Sequence, residues 1–209
     1  MSRGRFVTLE GIEGAGKSTV ARLVCATLER AGLRVRATRE PGGTPLAERV
    51  RQLVLEHGAE PLTPLTETLL MFAARALHVD GVIRPALASG TWVVCDRFTD
   101  ATRAYQGSGR GVDPALIEAL ATAVHGDLVP DCTLLLDVSV ATGLARARAR
   151  TGAPTDRFET ETADFFERVR AGYLALARAE PRRFRLIDAS APLSVVEERV
   201  GAILAELKP

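Results

Sequence analysis

Gly11-Ile12-Glu13-Gly14-Ala15-Gly16-Lys17-Ser18 fits G-x-x-x-x-G-K-[ST], the spacing of a phosphate-binding P-loop. Its glycines permit positive φ and let phosphate oxygens approach the backbone closely. Successive N–H groups then converge on an anion at a helix N-terminus, where the dipole adds positive charge. The cradle is expected to comprise Gly11, Ile12, Glu13, Gly14, Ala15, Gly16, Lys17, Ser18 and Thr19, with Lys17 on the β- and γ-phosphates and Ser18 on Mg²⁺. The strand-like run ahead of the loop and the helical pattern behind it supply the required context.

Two further acids end apolar strand-like runs, Asp96 and Asp137. Asp96 is followed by Arg97, so an acid for the metal and a base for a phosphate emerge together where open α/β sheets bind ligands. Asp137 reads equally well as a helix cap or an exposed strand end. Glu10 and Glu13 flank the loop and could orient metal-bound water, although Glu10 fits a structural role as well.

Transfer between two phosphates gathers several negative charges, and the planar fork of arginine suits them. Candidates are Arg39 and Arg51 around Glu40-Pro41-Gly42-Gly43-Thr44, then Arg75 and Arg97, then Arg146, Arg148, Arg150 and Arg157. Arg146 and Arg150 share a helix face at i, i+4, whereas Arg148 points elsewhere and reads as solvated. The breakers Gly152 and Pro154 lie among these arginines, so residues about 146–158 are expected to form a short mobile lid that excludes water. The sequence contains no asparagine, which rules out guanine recognition by an Asn-Lys-x-Asp motif.

The elements that must position these residues alternate along the chain. Strands are expected at Arg5 to Glu10, Leu33 to Thr38, Trp92 to Asp96, Cys132 to Asp137 and Phe184 to Ile187. Helical patterns cover Lys17 to Ala31, Pro45 to His57, Leu65 to Ala88, Pro114 to His125, Val140 to Arg150, Thr162 to Ala179 and Ser194 to Leu207. The order predicts an α/β fold, a five-stranded parallel sheet with helices on both faces, in one domain spanning 1–209.

The 209 residues carry a net charge of +1, with 46% hydrophobic and 25% charged residues. That balance is ordinary for a globular domain and argues against nucleic acid or an anionic membrane as partner. Cys25, Cys95 and Cys132 are too far apart for a zinc site and read as buried thiols in a reducing cytoplasm. No secretory signal pattern opens the chain, and no apolar run reaches the ~20 residues of a membrane span.

Over its whole length the chain resembles the bacterial thymidylate kinases, a family of P-loop nucleoside-monophosphate kinases. The resemblance is carried by the P-loop, then Thr38 to Thr44, Phe72-Ala73-Ala74-Arg75, Asp96-Arg97-Phe98, and Ala104-Tyr105-Gln106-Gly107 with Gly109-Arg110-Gly111, all in the family's order. It implies transfer from ATP to dTMP with Mg²⁺, held by Ser18 and Asp96, in a homodimer serving dTTP synthesis. Lys17, Asp96, Arg97, Arg150 and Arg157 become the expected catalytic residues. The dTMP site becomes Arg39, Arg51, Phe72, Arg75, Arg97, Thr102, Tyr105 and Gln106, with Phe72 stacked on thymine, Arg75 and Gln106 on its edge, and Tyr105 crowding the sugar 2′ position. Two departures stand out. Met71 occupies the spacing, four before the arginine, at which many members place the aromatic ring. Glu13, Gly14 and Ala15 stand where some members carry a P-loop arginine, for which lid arginines are implied to compensate. The chemistry of thymine agrees with this assignment, since a glutamine amide can match an N–H beside a carbonyl. Other readings of the same residues are a kinase for another nucleotide or small metabolite, and a regulatory P-loop ATPase.

Overall fold

The computed structural model describes residues 3–56, 60–149, 157–158 and 160–207. Five strands, β1 (Phe6–Glu10), β2 (Val35–Arg39), β3 (Trp92–Asp96), β4 (Cys132–Asp137) and β5 (Phe184–Asp188), form one sheet in the order β2-β3-β1-β4-β5. All four pairings are parallel, as expected. β1 is buried at every residue, and β4 at all but Asp137. Such continuous burial requires cover on both faces.

Helices α1 (Lys17–Arg30), α2 (Pro45–Leu55), α3 (Pro64–His78), α4 (Arg84–Ala88), α5 (Thr99–Thr102), α6 (Pro114–His125), α7 (Val140–Arg148), α8 (Ala163–Ala179) and α9 (Leu193–Leu207) supply that cover. In α1 the buried residues are Val20, Val24 and Leu28, one apolar row at i, i+4, i+8. Thr44 caps α2 by accepting from Ala47 N, and Thr63 caps α3 by accepting from Thr66 N.

The long helix expected from Leu65 to Ala88 is not continuous. It passes through a π-helical stretch at Val79–Ile83 before α4 resumes ahead of Pro85. Pro85 has no N–H for the helical ladder, consistent with a break in register just before it. A second π stretch, Arg103–Gly109, follows α5 and was not foreseen as an element. It carries Tyr105 and Gln106, and wide turns of this kind recur at functional sites. The second strand begins at Val35 rather than Leu33, and α2 ends at Leu55. Arg150 and the breaker segment 151–156 lie outside the described residues.

β1 and β3 are neighbours whose outgoing chains leave in opposite directions, β1 toward β2 and β3 toward β4. A parallel sheet binds ligands in the crevice at such a reversal.

Candidate active site

The P-loop leaves β1 and enters α1 through three glycines with left-handed φ: Gly11 at 138°, Gly14 at 70° and Gly16 at 92°. At Gly14 a Cβ would run into the Gly143 carbonyl, so the position needs both the conformation and the missing side chain. Gly16 caps α1 without any side-chain acceptor, leaving the first N–H groups of the helix for an anion. Lys17 Nζ donates to Gly11 O and Ile12 O, both at 3.0 Å, which folds the ammonium back over the loop. Burial, and the Arg97 guanidinium nearby, lower its pKa to about 8.

β3 delivers Asp96 to the same cavity, which measures about 960 Å³ and is lined by Lys17, Ser18, Asp96 and Arg97. Asp96 Oδ1 is buried with no hydrogen-bond partner among the described residues. A buried carboxylate oxygen without a donor is costly unless a ligand completes it, and Mg²⁺ with the Ser18 hydroxyl suits that donor set. No cluster of three or more His, Cys, Asp or Glu occurs among the described residues.

After Asp96 the chain turns sharply, because Arg97 adopts φ 71°, left-handed for a non-glycine residue. Glu10, at the end of β1, accepts from Phe98 N at 2.8 Å and from the Tyr173 hydroxyl at 2.7 Å. Both carboxylate oxygens are therefore used in holding the turn. Burial and the Asp100 charge raise the Glu10 pKa to about 8. Arg97 donates to Tyr173 Oη at 3.1 Å, Glu13 Oε1 at 2.8 Å and Tyr105 Oη at 3.0 Å, and Tyr105 donates to Glu13 Oε2 at 2.6 Å. P-loop, β3 and the second π stretch thus meet in one network.

On the far side of the cavity Arg75 is almost wholly fixed. Nε donates to Glu40 Oε2 at 2.7 Å, and Nη2 to Thr102 Oγ1 at 3.0 Å and Phe98 O at 3.2 Å. Its guanidinium lies against the Phe72 and Phe98 rings, 4.7 and 5.3 Å from their centroids. Glu40 is in turn held by His78 Nδ1 at 2.9 Å. Of the Arg75 nitrogens, Nη1 is buried without a partner among the described residues, and Arg75 lines the cavity. Gln106, Tyr105, Thr102 and Met71 line it too, as do Arg39 and Arg51. Arg39 pairs with Glu48 at 2.9 Å, and Arg51 donates to Pro41 O at 3.0 Å.

Two sequence-derived placements need correction. Phe72 does not line the cavity; its ring packs with Ile117 and Ala121 beneath Arg75, and Met71 takes the wall position. Adjacent helix positions differ by about 100°, so the two side chains cannot both face the same space. Arg157, expected beside the donor phosphates, is instead bound to Glu67 Oε2 and donates from Nε to Val54 O at 3.0 Å, which ties it to α2 and α3. Asp137 is held by Arg170 through two bonds of 2.7 and 2.9 Å, as suits a strand-end acid tied to α8. Arg146 remains at the cavity, with Nη1 donating to Ala189 O at 2.8 Å.

Sequence reasoning missed Tyr173 and Glu67. Tyr173 lies mid-helix in α8 and reads as ordinary core; only its hydroxyl, which needs a partner when buried, hinted otherwise. Glu67 stands in the first turn of α3, where acids normally face water.

An uncapped P-loop helix, a strand-end Asp-Arg pair and a second pocket joined to the phosphate cradle define a P-loop kinase of nucleoside-monophosphate type. The thymidylate kinase family model matches residues 9–200, and the chain belongs to the thymidylate kinase family. It is 58% identical to the thymidylate kinase of Alkalilimnicola ehrlichii, across 98% of this chain and 94% of that one. With the thymidylate kinase of Methylobacillus flagellatus it shares 56% identity, across 99% of each. The crystal structure of thymidylate kinase from Ehrlichia chaffeensis superposes with a TM-score of 0.77 at 35% identity, covering 97% of this chain and 99% of that one.

Proposed function

We infer that the chain transfers the γ-phosphoryl group of ATP to dTMP, giving dTDP and ADP on the route to dTTP. An oxygen of the acceptor phosphate attacks the γ-phosphorus while the bond to the β,γ-bridging oxygen breaks, and ADP departs with that electron pair. The observation that carries this reading is a single cavity joining the P-loop and Asp96 to the base-sized wall of Met71, Arg75 and Gln106.

Lys17 and the loop N–H groups hold the donor phosphates and follow the migrating charge. Ser18 and Asp96 would hold Mg²⁺, which when bound would supply charge neutralisation to the donor phosphates. Arg39, Arg51 and Arg97 face the acceptor phosphate. For Arg97 this means exchanging its Glu13 bond for a phosphate oxygen, a stronger partner for a planar fork. Tyr105, held by Glu13 and Arg97, crowds the sugar 2′ position. Arg75 Nη1 donates to the base carbonyl, Gln106 meets its N–H, and Met71 covers the ring in the place first given to Phe72. Arg150 and the lid segment about 146–158 are assigned to the donor side as a sequence-based proposal, whereas Arg157 is reassigned to the acceptor side on its contacts.

Incubation with ATP, Mg²⁺ and dTMP tests the reaction directly. Equimolar dTDP and ADP, with neither formed when dTMP is left out, is the expected result. Steady ATP hydrolysis without an acceptor would favour a regulatory ATPase.

The chain is further proposed to act as a homodimer. α3 touches both α2 and α6, and Leu65 and Leu69 of α3, Leu46 and Leu53 of α2 and Leu116 of α6 are all exposed. A set of exposed leucines on adjoining helices suits a partner surface. Free thiols at Cys25, Cys95 and Cys132 support a reducing compartment such as the cytoplasm.

A further inference from the structure

Glu67 is a buried charge to which the transfer chemistry gives no task. It is 0% exposed, and its carboxylate collects three donors. Gln106 Nε2 reaches Oε1 at 2.7 Å, Arg110 Nε reaches the same oxygen at 3.3 Å, and Arg157 Nη2 reaches Oε2. A carboxylate flanked by two guanidinium groups offers only lone pairs. The part of the Gln106 amide that faces it must therefore be the NH₂.

The consequence concerns the other end of that amide. The oxygen and nitrogen of glutamine are nearly equal in size and exchange places by a half-turn about χ3, so only their partners decide which is where. With Nε2 taken by Glu67, Oε1 is left as the acceptor, and it receives no hydrogen bond from the described residues. Gln106 stands at the cavity wall with Arg75, whose Nη1 is a buried donor equally without a partner among the described residues. The wall thus offers one acceptor and one donor.

We propose that Glu67 is a positioning residue for base selection. By holding Nε2 it keeps Gln106 Oε1 turned toward the acceptor base, so the site takes a ring N–H beside a carbonyl, as in thymine or uracil. Cytosine has a bare ring nitrogen and an exocyclic amino group at those positions. It would set acceptor against acceptor at Gln106 and donor against donor at Arg75. If the amide were free to turn, Nε2 would satisfy the cytosine ring nitrogen and half of that rejection would vanish. Arg110 and Arg157 hold the carboxylate in place but do not touch the base. The inference rests on Gln106 and Arg75 as the base contacts proposed above.

The test compares kcat/KM for dTMP and dCMP in Glu67→Gln, Glu67→Asp, Gln106→Ala and the double variant Glu67→Gln/Gln106→Ala. In Glu67→Gln the new amide can meet Gln106 in either orientation. The dTMP:dCMP ratio should fall about tenfold or more through a higher KM for dTMP, with kcat and the KM for ATP almost unchanged. Glu67→Asp keeps the charge opposite Arg110 and Arg157 but withdraws it by one methylene, so the ratio should fall in that variant too. It carries the test if circular dichroism shows Glu67→Gln to be misfolded. In the double variant the ratio should match that of Gln106→Ala alone, since the effect passes through one amide. A wild-type ratio in a folded Glu67 variant overturns the inference, as does a loss that simply adds to that of Gln106→Ala. If Gln106→Ala itself keeps the wild-type ratio, the base contact fails and the inference with it. If Gln106→Ala loses selectivity while the Glu67 variants keep it, the inference alone is wrong.

Discussion

Lys17 donates to Gly11 O and Ile12 O in the free loop, and burial beside Arg97 brings its pKa down to about 8. Below that pH the free enzyme presents an ammonium to the triphosphate; above it the side chain is neutral. ATP favours the charged form, so binding above pH 8 must take up a proton. The kcat/KM for ATP should therefore fall on the alkaline side with a limb starting near pH 8, approaching a factor of ten per unit. Lys17→Ala should lower transfer by about two to three orders of magnitude and lack that limb. Stopped assays with ATP varied at each pH read both effects. A flat wild-type profile to pH 10 would mean that burial does not lower the Lys17 pKa in the free enzyme. At this scale much was legible in the sequence, because a P-loop is a local pattern whose spacing alone specifies the cradle. Glu67 and Tyr173 were not, since each acts through partners far away in sequence, and nothing near them marks the pairing.

Elements meet at the carboxyl ends of β1 and β3, where Glu10 carries the junction. Its two oxygens join β1 to the turn after β3 through Phe98 N and to α8 through Tyr173. A glutamate in the unfolded chain titrates near 4.5, whereas burial and Asp100 put it at about 8 in the folded protein. Between those values the folded state binds the extra proton, so Glu10 makes stability fall as pH rises from about 4.5 to 8. Glu10→Gln keeps an acceptor for Phe98 N and a polar group for Tyr173 but cannot titrate. Thermal unfolding from pH 5 to 8 should show the melting temperature of this variant gaining on that of the wild type as pH rises. Parallel curves would mean that Glu10 is ionised throughout. All five strands could be read from the sequence: β1, β3 and β4 are buried, continuous apolar runs, whereas the partly exposed edge strands β2 and β5 show only as short stretches between helical patterns. The two π stretches could not, since one extra residue per turn leaves helical periodicity almost intact over so short a span. Met71 and Phe72 were exchanged for a different reason: in α3 positions three and four before Arg75 both lie near its face, so spacing alone does not choose between them.

In the whole molecule, the P-loop and the wall proposed above to read the base line one cavity, and α3 carries Met71 and Arg75 of that wall as well as the exposed leucine face of Leu65 and Leu69. Leu69→Lys, which puts a charge into that face without touching the cavity lining, should shift sedimentation velocity from dimer to monomer at micromolar concentration. A dimer that survives would move the interface elsewhere. The central claim is the choice of acceptor, and kcat/KM measured with ATP and Mg²⁺ across dTMP, dUMP, dCMP, dGMP and AMP tests it most directly. dTMP should lead, with dCMP and AMP at least about a hundredfold behind, because each sets a bare ring nitrogen and an amino group against the acceptor and donor of the wall. Equal efficiency with dCMP or AMP would contradict the claim.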